Sequence, residues 1–186
     1  MEQFLNNLNY ITPLSADAQS ALIAKLKRSE YHKGEILIKE LSKCEHLFFI
    51  EKGLARAYYF KDGKDITDWF ATEGIVIGPI IRNFPTKIGE HVVELLEDTS
   101  VISISFQDLQ ELYDRYHQIE RLGRIIAIQA VLALQQKIDS IQFLTAKQRY
   151  HDFVKANPTL LQRVSLGHIA SFLGMNQVTL SRIRKK

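Results

Sequence analysis

The residues best placed to do chemistry stand near the C-terminus. Between Val164 and Lys186, Gln177, Val178, Ser181, Arg182 and Lys185 share one face of any helix drawn through them. That set suits the edges of base pairs. The Arg182 guanidinium is a fork of donors matching guanine, the Gln177 amide matches adenine, and Val178 offers an apolar contact to a thymine methyl. Ser165, His168, Asn176, Thr179, Arg184, Lys185 and Lys186 suit phosphate oxygens or helix caps.

Other chemistries find less support. His32, His46, His91, His117, His151 and His168 are scattered, with no His-Glu-x-x-His pair to hold zinc on one helix. A Gly-x-Ser-x-Gly elbow and a phosphate-cradling Gly-rich loop are both missing from the sequence. Cys44 is the single cysteine, so one chain can build neither a disulfide nor a four-thiolate zinc or iron-sulfur site. Glu94, Glu97 and Asp98 form an acidic cluster that reads as a solvated strand end. These observations predict a protein that is not an enzyme and holds no metal.

The base-reading face needs elements to position it. Leu166, Ile169, Ala170 and Leu173 form one helical stripe, Gly174 supplies a left-handed turn, and Met175, Leu180 and Ile183 face back toward the first helix. That pattern predicts a helix-turn-helix, with no room between Asn157 and Val164 for a flanking β-wing. Thr145-Ala-Lys-Gln148 has the form of a capping box that starts a new helix, and Asn157-Pro158 ends it.

Ahead of this lies a long helical segment, 117 to 143. Ile119, Leu122, Ile126, Ala130 and Ala133 make one apolar stripe and Ile125, Ile128 and Leu132 another. Two faces need two partners. The first stripe is assigned to pairing with a second copy, with burial wholly inside one chain as the alternative. A shorter helix precedes it at 106 to 116, and another is expected from Ser15 to Lys27, with Ala18, Leu22 and Leu26 inward. From 29 to 105 the texture is short β-type runs, at 36–38, 47–50, 55–60, 66–70, 75–77, 91–96 and 101–104, punctuated by Gly turns. Strands at that spacing predict a barrel or jelly roll, so the fold class is α+β. The expected divisions are 1–116, 117–144 and 145–186.

Charge agrees with this division. From Thr145 onward there are eight basic residues and one acid, a net of +7, whereas residues 1–144 hold 16 bases and 20 acids. A basic end on an acidic body fits a module for double-stranded DNA. The longest nearly apolar run, Leu122 to Leu134, is interrupted by Arg124 and Gln129 and is too short to span a bilayer. With an acid at Glu2 in place of the positive start of a secretory signal, the expected location is cytoplasmic, with no membrane partner.

The order β-barrel, long helix, small helical domain resembles the bacterial CRP/FNR transcription regulators over nearly the whole chain. Leu47-Phe-Phe-Ile-Glu-Lys-Gly53 is similar to the family's strand-turn stretch, Asp62-Gly-Lys64 to its hairpin tip, Glu73-Gly-Ile-Val-Ile-Gly78 to the approach to its phosphate-binding cassette, and Leu180-Ser-Arg-Ile183 to its recognition helix. The resemblance implies a homodimer on a two-fold operator, with RNA polymerase as a further partner. It also implies a ligand pocket at Ile77, Gly78, Pro79, Ile80, Arg82, Gly89 and Glu90. Members that bind cyclic AMP carry a Gly-Glu pair and an Arg followed by a small hydroxylated residue. Here Pro79 follows Gly78, and Gly89-Glu90 stands where the Arg pair is expected. A phosphate facing Glu90 without that arginine meets repulsion, so cyclic AMP binding by the usual chemistry is not expected, although Arg82 and Lys87 are near in sequence. No cofactor is predicted. The alternative to a DNA reader is a ligand-sensing or protein-binding module whose helical end no longer reads DNA.

Overall fold

The computed structural model describes residues 2–39, 45–78 and 91–185. Two four-stranded antiparallel sheets face each other. One has the order β1 (Lys27–Tyr31), β8 (Thr99–Ser105), β3 (His46–Lys52), β6 (Val76–Ile77); the other runs β2 (Ile36–Ile38), β7 (Val92–Leu95), β4 (Ala55–Lys61), β5 (Lys64–Ala71). Strand alternation explains the core between them. Ala55 and Ala57 of β4, Val93 and Leu95 of β7, and Ile50 and Val101 turn inward and are fully or almost fully buried. The α+β jelly-roll expectation holds.

The outer face of the first sheet is covered by helices. Phe49, Ile102 and Ile104 pack against Phe4 and Leu8 of α1 (Glu2–Ile11), Ala18 and Leu22 of α2 (Ala16–Lys25), and Leu112 of α3 (Phe106–Arg115). Ser15 caps α2 and Ser105 caps α3, each accepting from the backbone N–H three residues on. Two elements of this face were not expected. In α1 the Asn-rich face, Asn6, Asn7 and Asn9, masks the helical period, and burial of Phe4 edge-on to Phe49, with ring centroids 4.5 Å apart, supplies what propensity lacks. In β1, Lys27-Arg-Ser-Glu-Tyr31 reads as charged because it is an edge strand, paired only with β8.

The long helix α4 spans His117–Phe143, as the sequence predicts. Its first two turns differ from expectation in their partner. Ile119 and Leu122 are buried among α1, α2, α3 and the first sheet, with Ile126 packed beside them, so they belong to the chain's own core and are not available to a second copy. Ala130 and Ala133 line a groove between α4 and the β-domain. The exposed apolar residues lie farther along, at Val131, Leu134, Ile138 and Ile141, spaced three, four and three apart as in a coiled-coil seam.

Four helices follow: α5 (Ala146–Ala156), α6 (Leu160–Arg163), α7 (Leu166–Phe172) and α8 (Gln177–Arg184). The capping box at Thr145 is formed in both directions, with Gln148 reaching back to the Thr145 N–H at 2.9 Å. The single turn α6, absent from the sequence reading, is too short to show a period. These helices share a core with the outer face of the second sheet, where Leu54, Phe70 and Leu96 meet Phe153, Leu160, Val164 and Phe172.

Candidate nucleic-acid interface

Helices α7 and α8 form around the residues expected to join them. Ile169, Ala170, Leu173 and Leu180 are buried at 5% exposure or less. Gly174 adopts φ +64°, the left-handed turn that lets the Met175 N–H bond back to the Ala170 carbonyl at 3.0 Å. Ser165 caps α7, accepting from the His168 N–H at 3.2 Å, and Asn176 caps α8, accepting from the Thr179 N–H at 2.8 Å. Arg149 of α5 fastens the turn, donating to the Leu173 carbonyl at 2.9 Å and the Leu144 carbonyl at 2.7 Å.

Gln177, Val178, Ser181, Arg182 and Lys185 come together on the outward face of α8, where they line one shallow recess. Val178 is 61% exposed, an apolar side chain left largely open by the described residues. Arg184 is also exposed; Thr179 is half-buried; Lys186 lies outside the described residues. The arrangement offers a forked donor, an amide, a hydroxyl and a methyl-bearing side chain on one convex helix, with an ammonium at its end.

His168 is placed elsewhere. It faces the second sheet, where its Nδ1 is buried without a hydrogen-bond partner among the described residues. Burial first, and then the nearby Arg56 charge, lower its pKa from 6.5, with Asp65 and Glu94 opposing. Arg56 is itself 2% exposed, held by Asp65 at 3.1 Å and Thr67 at 3.3 Å, with the Glu94 carboxylate 3.1 Å from its Nε. The acidic cluster, expected to be solvated, is so only at Asp98, whose side chain is 80% exposed, while Glu94 and Glu97 are drawn into ion pairs. Glu94 faces Arg56, Glu97 receives Arg163, and Asp98 accepts the Lys33 N–H.

Further contacts tie α4 and α7 to β5. The Thr67 N–H donates to Ser171 Oγ at 2.9 Å. Lys137 bonds the Asp68 carboxylate and the Asp68 carbonyl and lies 5.6 Å from the centre of the Phe172 ring. His91, 3.0 Å from Asp68, and Lys137 hold the Asp68 pKa down at about 2. Sequence reasoning missed Arg56, Asp68, Lys137, Arg149 and Arg163. Their partners lie far away along the chain for all but Arg149–Leu144 and Arg56–Asp65, and no local spacing signals them.

The expected ligand-pocket residues Ile77 and Gly78 line the groove between α4 and the β-domain, about 1420 Å³ in volume. Pro79, Ile80, Arg82, Lys87, Gly89 and Glu90 lie outside the described residues, as does Cys44. Among the described residues, no group of three or more His, Cys, Asp or Glu is arranged to hold a metal, and no helix is long and apolar enough to cross a membrane.

Residues 28–116 match the family model of the cyclic nucleotide-binding domain. The overall fold is that of the CRP/FNR regulators. FixK2 from Bradyrhizobium japonicum superposes with a TM-score of 0.75 at 20% identity, over 86% of this chain and 83% of that one. A transcriptional regulator of the CRP/FNR family from Eubacterium rectale gives 0.70 at 15% identity, over 92% and 82%. The cAMP-dependent protein kinase regulatory subunit of Debaryomyces hansenii is 35% identical over 65 residues, 35% of this chain, and the match spans only 14% of that relative's length. The CRP/FNR fold accounts for the order of elements seen here: jelly roll, long helix, then the paired helices α7 and α8.

Proposed function

We propose that the chain is a DNA-binding transcription regulator, working as a homodimer that presents two copies of α8 to a two-fold operator with half-sites about 34 Å apart. The observation that carries this reading is the open α8 face, where Gln177, Val178, Ser181, Arg182 and Lys185 line one recess. Asn176 and Ser165 cap α8 and α7, and from those helix starts they would take phosphate contacts that fix register. The exposed seam of Val131, Leu134, Ile138 and Ile141 supports the homodimer.

Cyclic AMP is not the effector by the usual chemistry, because Pro79 and Gly89-Glu90 replace the groups that hold ribose and phosphate. The family match over 28–116 favours the second reading, in which the domain does take a cyclic nucleotide, with Arg82 or Lys87 serving the phosphate. Titration calorimetry separates these: micromolar affinity for cyclic AMP supports the second.

The test of DNA reading is selection of sites from random duplexes with purified protein and no nucleotide. Enrichment of a two-fold-symmetric site, with specificity relaxed at one base pair per half-site in Arg182→Ala, is the expected result. Absence of enrichment, with and without cyclic nucleotide, argues for a module whose helical end serves another partner.

A further inference from the structure

Arg163 ends α6 and is one of the eight bases of the C-terminal segment, yet its charge is spent inside the chain. Its guanidinium meets three turns at one end of the barrel. Nε and Nη2 donate to the two Glu97 oxygens at 2.9 and 2.7 Å, in the turn between β7 and β8. Nη1 and Nη2 donate to Glu73 at 3.0 and 2.8 Å, in the turn between β5 and β6, and Nη2 also reaches the Gly53 carbonyl at 3.0 Å, between β3 and β4. Glu73 in turn accepts the Gly53 N–H at 2.9 Å.

A planar fork of five donors can bridge two carboxylates and a carbonyl at once, which a lysine ammonium cannot do in this geometry. The Arg163 side chain is only 21% exposed, so these pairs are screened less than surface ones. Beside it, the seam between the β-domain and the C-terminal helices has the apolar contact of Leu54, Phe70 and Leu96 with those helices and the Thr67–Ser171 bond. The reading face of α8 points away from all of this and stays open. Docking therefore fixes the direction of that face without masking it.

We propose that Arg163 is a latch that sets the orientation of the helix-turn-helix on the β-domain through Glu73, Glu97 and Gly53, and that releasing it lets the C-terminal helices swing about Leu144–Thr145. The Glu73 turn leads straight into β6 and Gly78, on the wall of the groove. Two heads held at a fixed angle lose less orientational freedom on a two-fold site than two loose ones. The orientation stands by itself; its effect on DNA rests on the reading proposed above.

The test is a distance distribution between spin labels at Lys61→Cys and Lys185→Cys in a Cys44→Ser background, with labelled chains diluted into excess unlabelled protein. The latched chain gives one narrow population. Arg163→Ala and Glu97→Gln broaden it, and Arg163→Lys falls between, while circular dichroism stays unchanged; Glu97→Gln keeps the side-chain shape and guards against misfolding in the alanine variant. Narrow distributions retained in both variants overturn the latch. On a selected operator, Arg163→Ala weakens binding about tenfold with an unchanged salt slope; a slope reduced by about one unit shows that Arg163 contacts phosphate instead, and also overturns it. If no operator is selected, the distance distributions still decide.

Discussion

The Tyr113 hydroxyl occupies the place where Gly123 would carry a side chain: a Cβ built there lies 2.1 Å from that oxygen and 2.6 Å from the ring carbon bearing it. The absence of a side chain lets α3 and α4 approach through the ring, which is half-buried. Gly123→Ala gains about 1 kcal/mol of helix propensity but must displace the ring, at about 1–3 kcal/mol. A net loss of up to about 2 kcal/mol is expected in urea unfolding, and Tyr113→Leu in the same chain restores part of it. Stabilisation by the alanine alone rules out the close approach as a constraint.

Pairing through α4 makes a separate prediction. Val131, Leu134, Ile138 and Ile141 are about half exposed with the described residues around them, whereas Ile119 and Leu122 are buried. Leu134→Glu with Ile138→Glu should give a folded monomer in sedimentation, with its melting little changed when dilute wild-type protein is the reference. Ile119→Ala instead costs about 2–5 kcal/mol of folding stability, because it opens a cavity in the chain's own core. A dimer that survives the double substitution places the interface elsewhere.

What the sequence made legible follows from how local each signal is. The α7–α8 pair announced itself within twenty residues: a periodic stripe, Gly174 at φ +64°, and two caps, all decided by neighbours. The strands were visible wherever one face is buried, as in β4 and β7, and invisible in β1, which is itself an edge strand and whose side chains are mostly charged. On α4 the period was plain but its partner was not, since α1, which covers Ile119, was itself masked by asparagines. The seam was the least legible. Arg163 and Glu97 are 66 residues apart, and nothing near either one distinguishes a buried ion pair from a solvated charge.

Acid should loosen that seam in a defined window. His168 faces Arg56, Asp65 and Glu94 with its pKa lowered by burial, so a form in which it is released binds a proton more readily than the docked form does. Docking is then complete above pH 6.5 and weakens as pH falls below that value. The carboxylates act lower. Glu73, held by Arg163, has its pKa reduced from 4.5 to about 2, and its contribution is kept above 4.5 and lost as pH falls through about 2. Asp68 behaves alike between 3.8 and about 2. Label distances recorded from pH 7.5 to 5 should broaden in the wild type and not in His168→Gln. The same broadening in both assigns the change to another group.

The exposed cations make the last prediction, and it separates positioning from readout. Arg149 and Arg163 are committed to carbonyls and carboxylates of their own chain, which leaves Lys147, Lys155, Arg182, Arg184 and Lys185 exposed among the described C-terminal bases. With Arg149 and Arg163 committed, the phosphate footprint is smaller than the eight C-terminal bases suggest. Arg184→Ala should weaken binding to all sequences alike and flatten the salt slope by about 0.9, the value for one phosphate contact. Arg182→Ala should instead cost about 1–3 kcal/mol on the selected site and little on random DNA. Fluorescence anisotropy at several salt concentrations measures both. If Arg182→Ala lowers affinity for specific and random duplexes equally, the α8 face grips the backbone, and the sequence preference must come from the shape of the DNA or from another part of the chain.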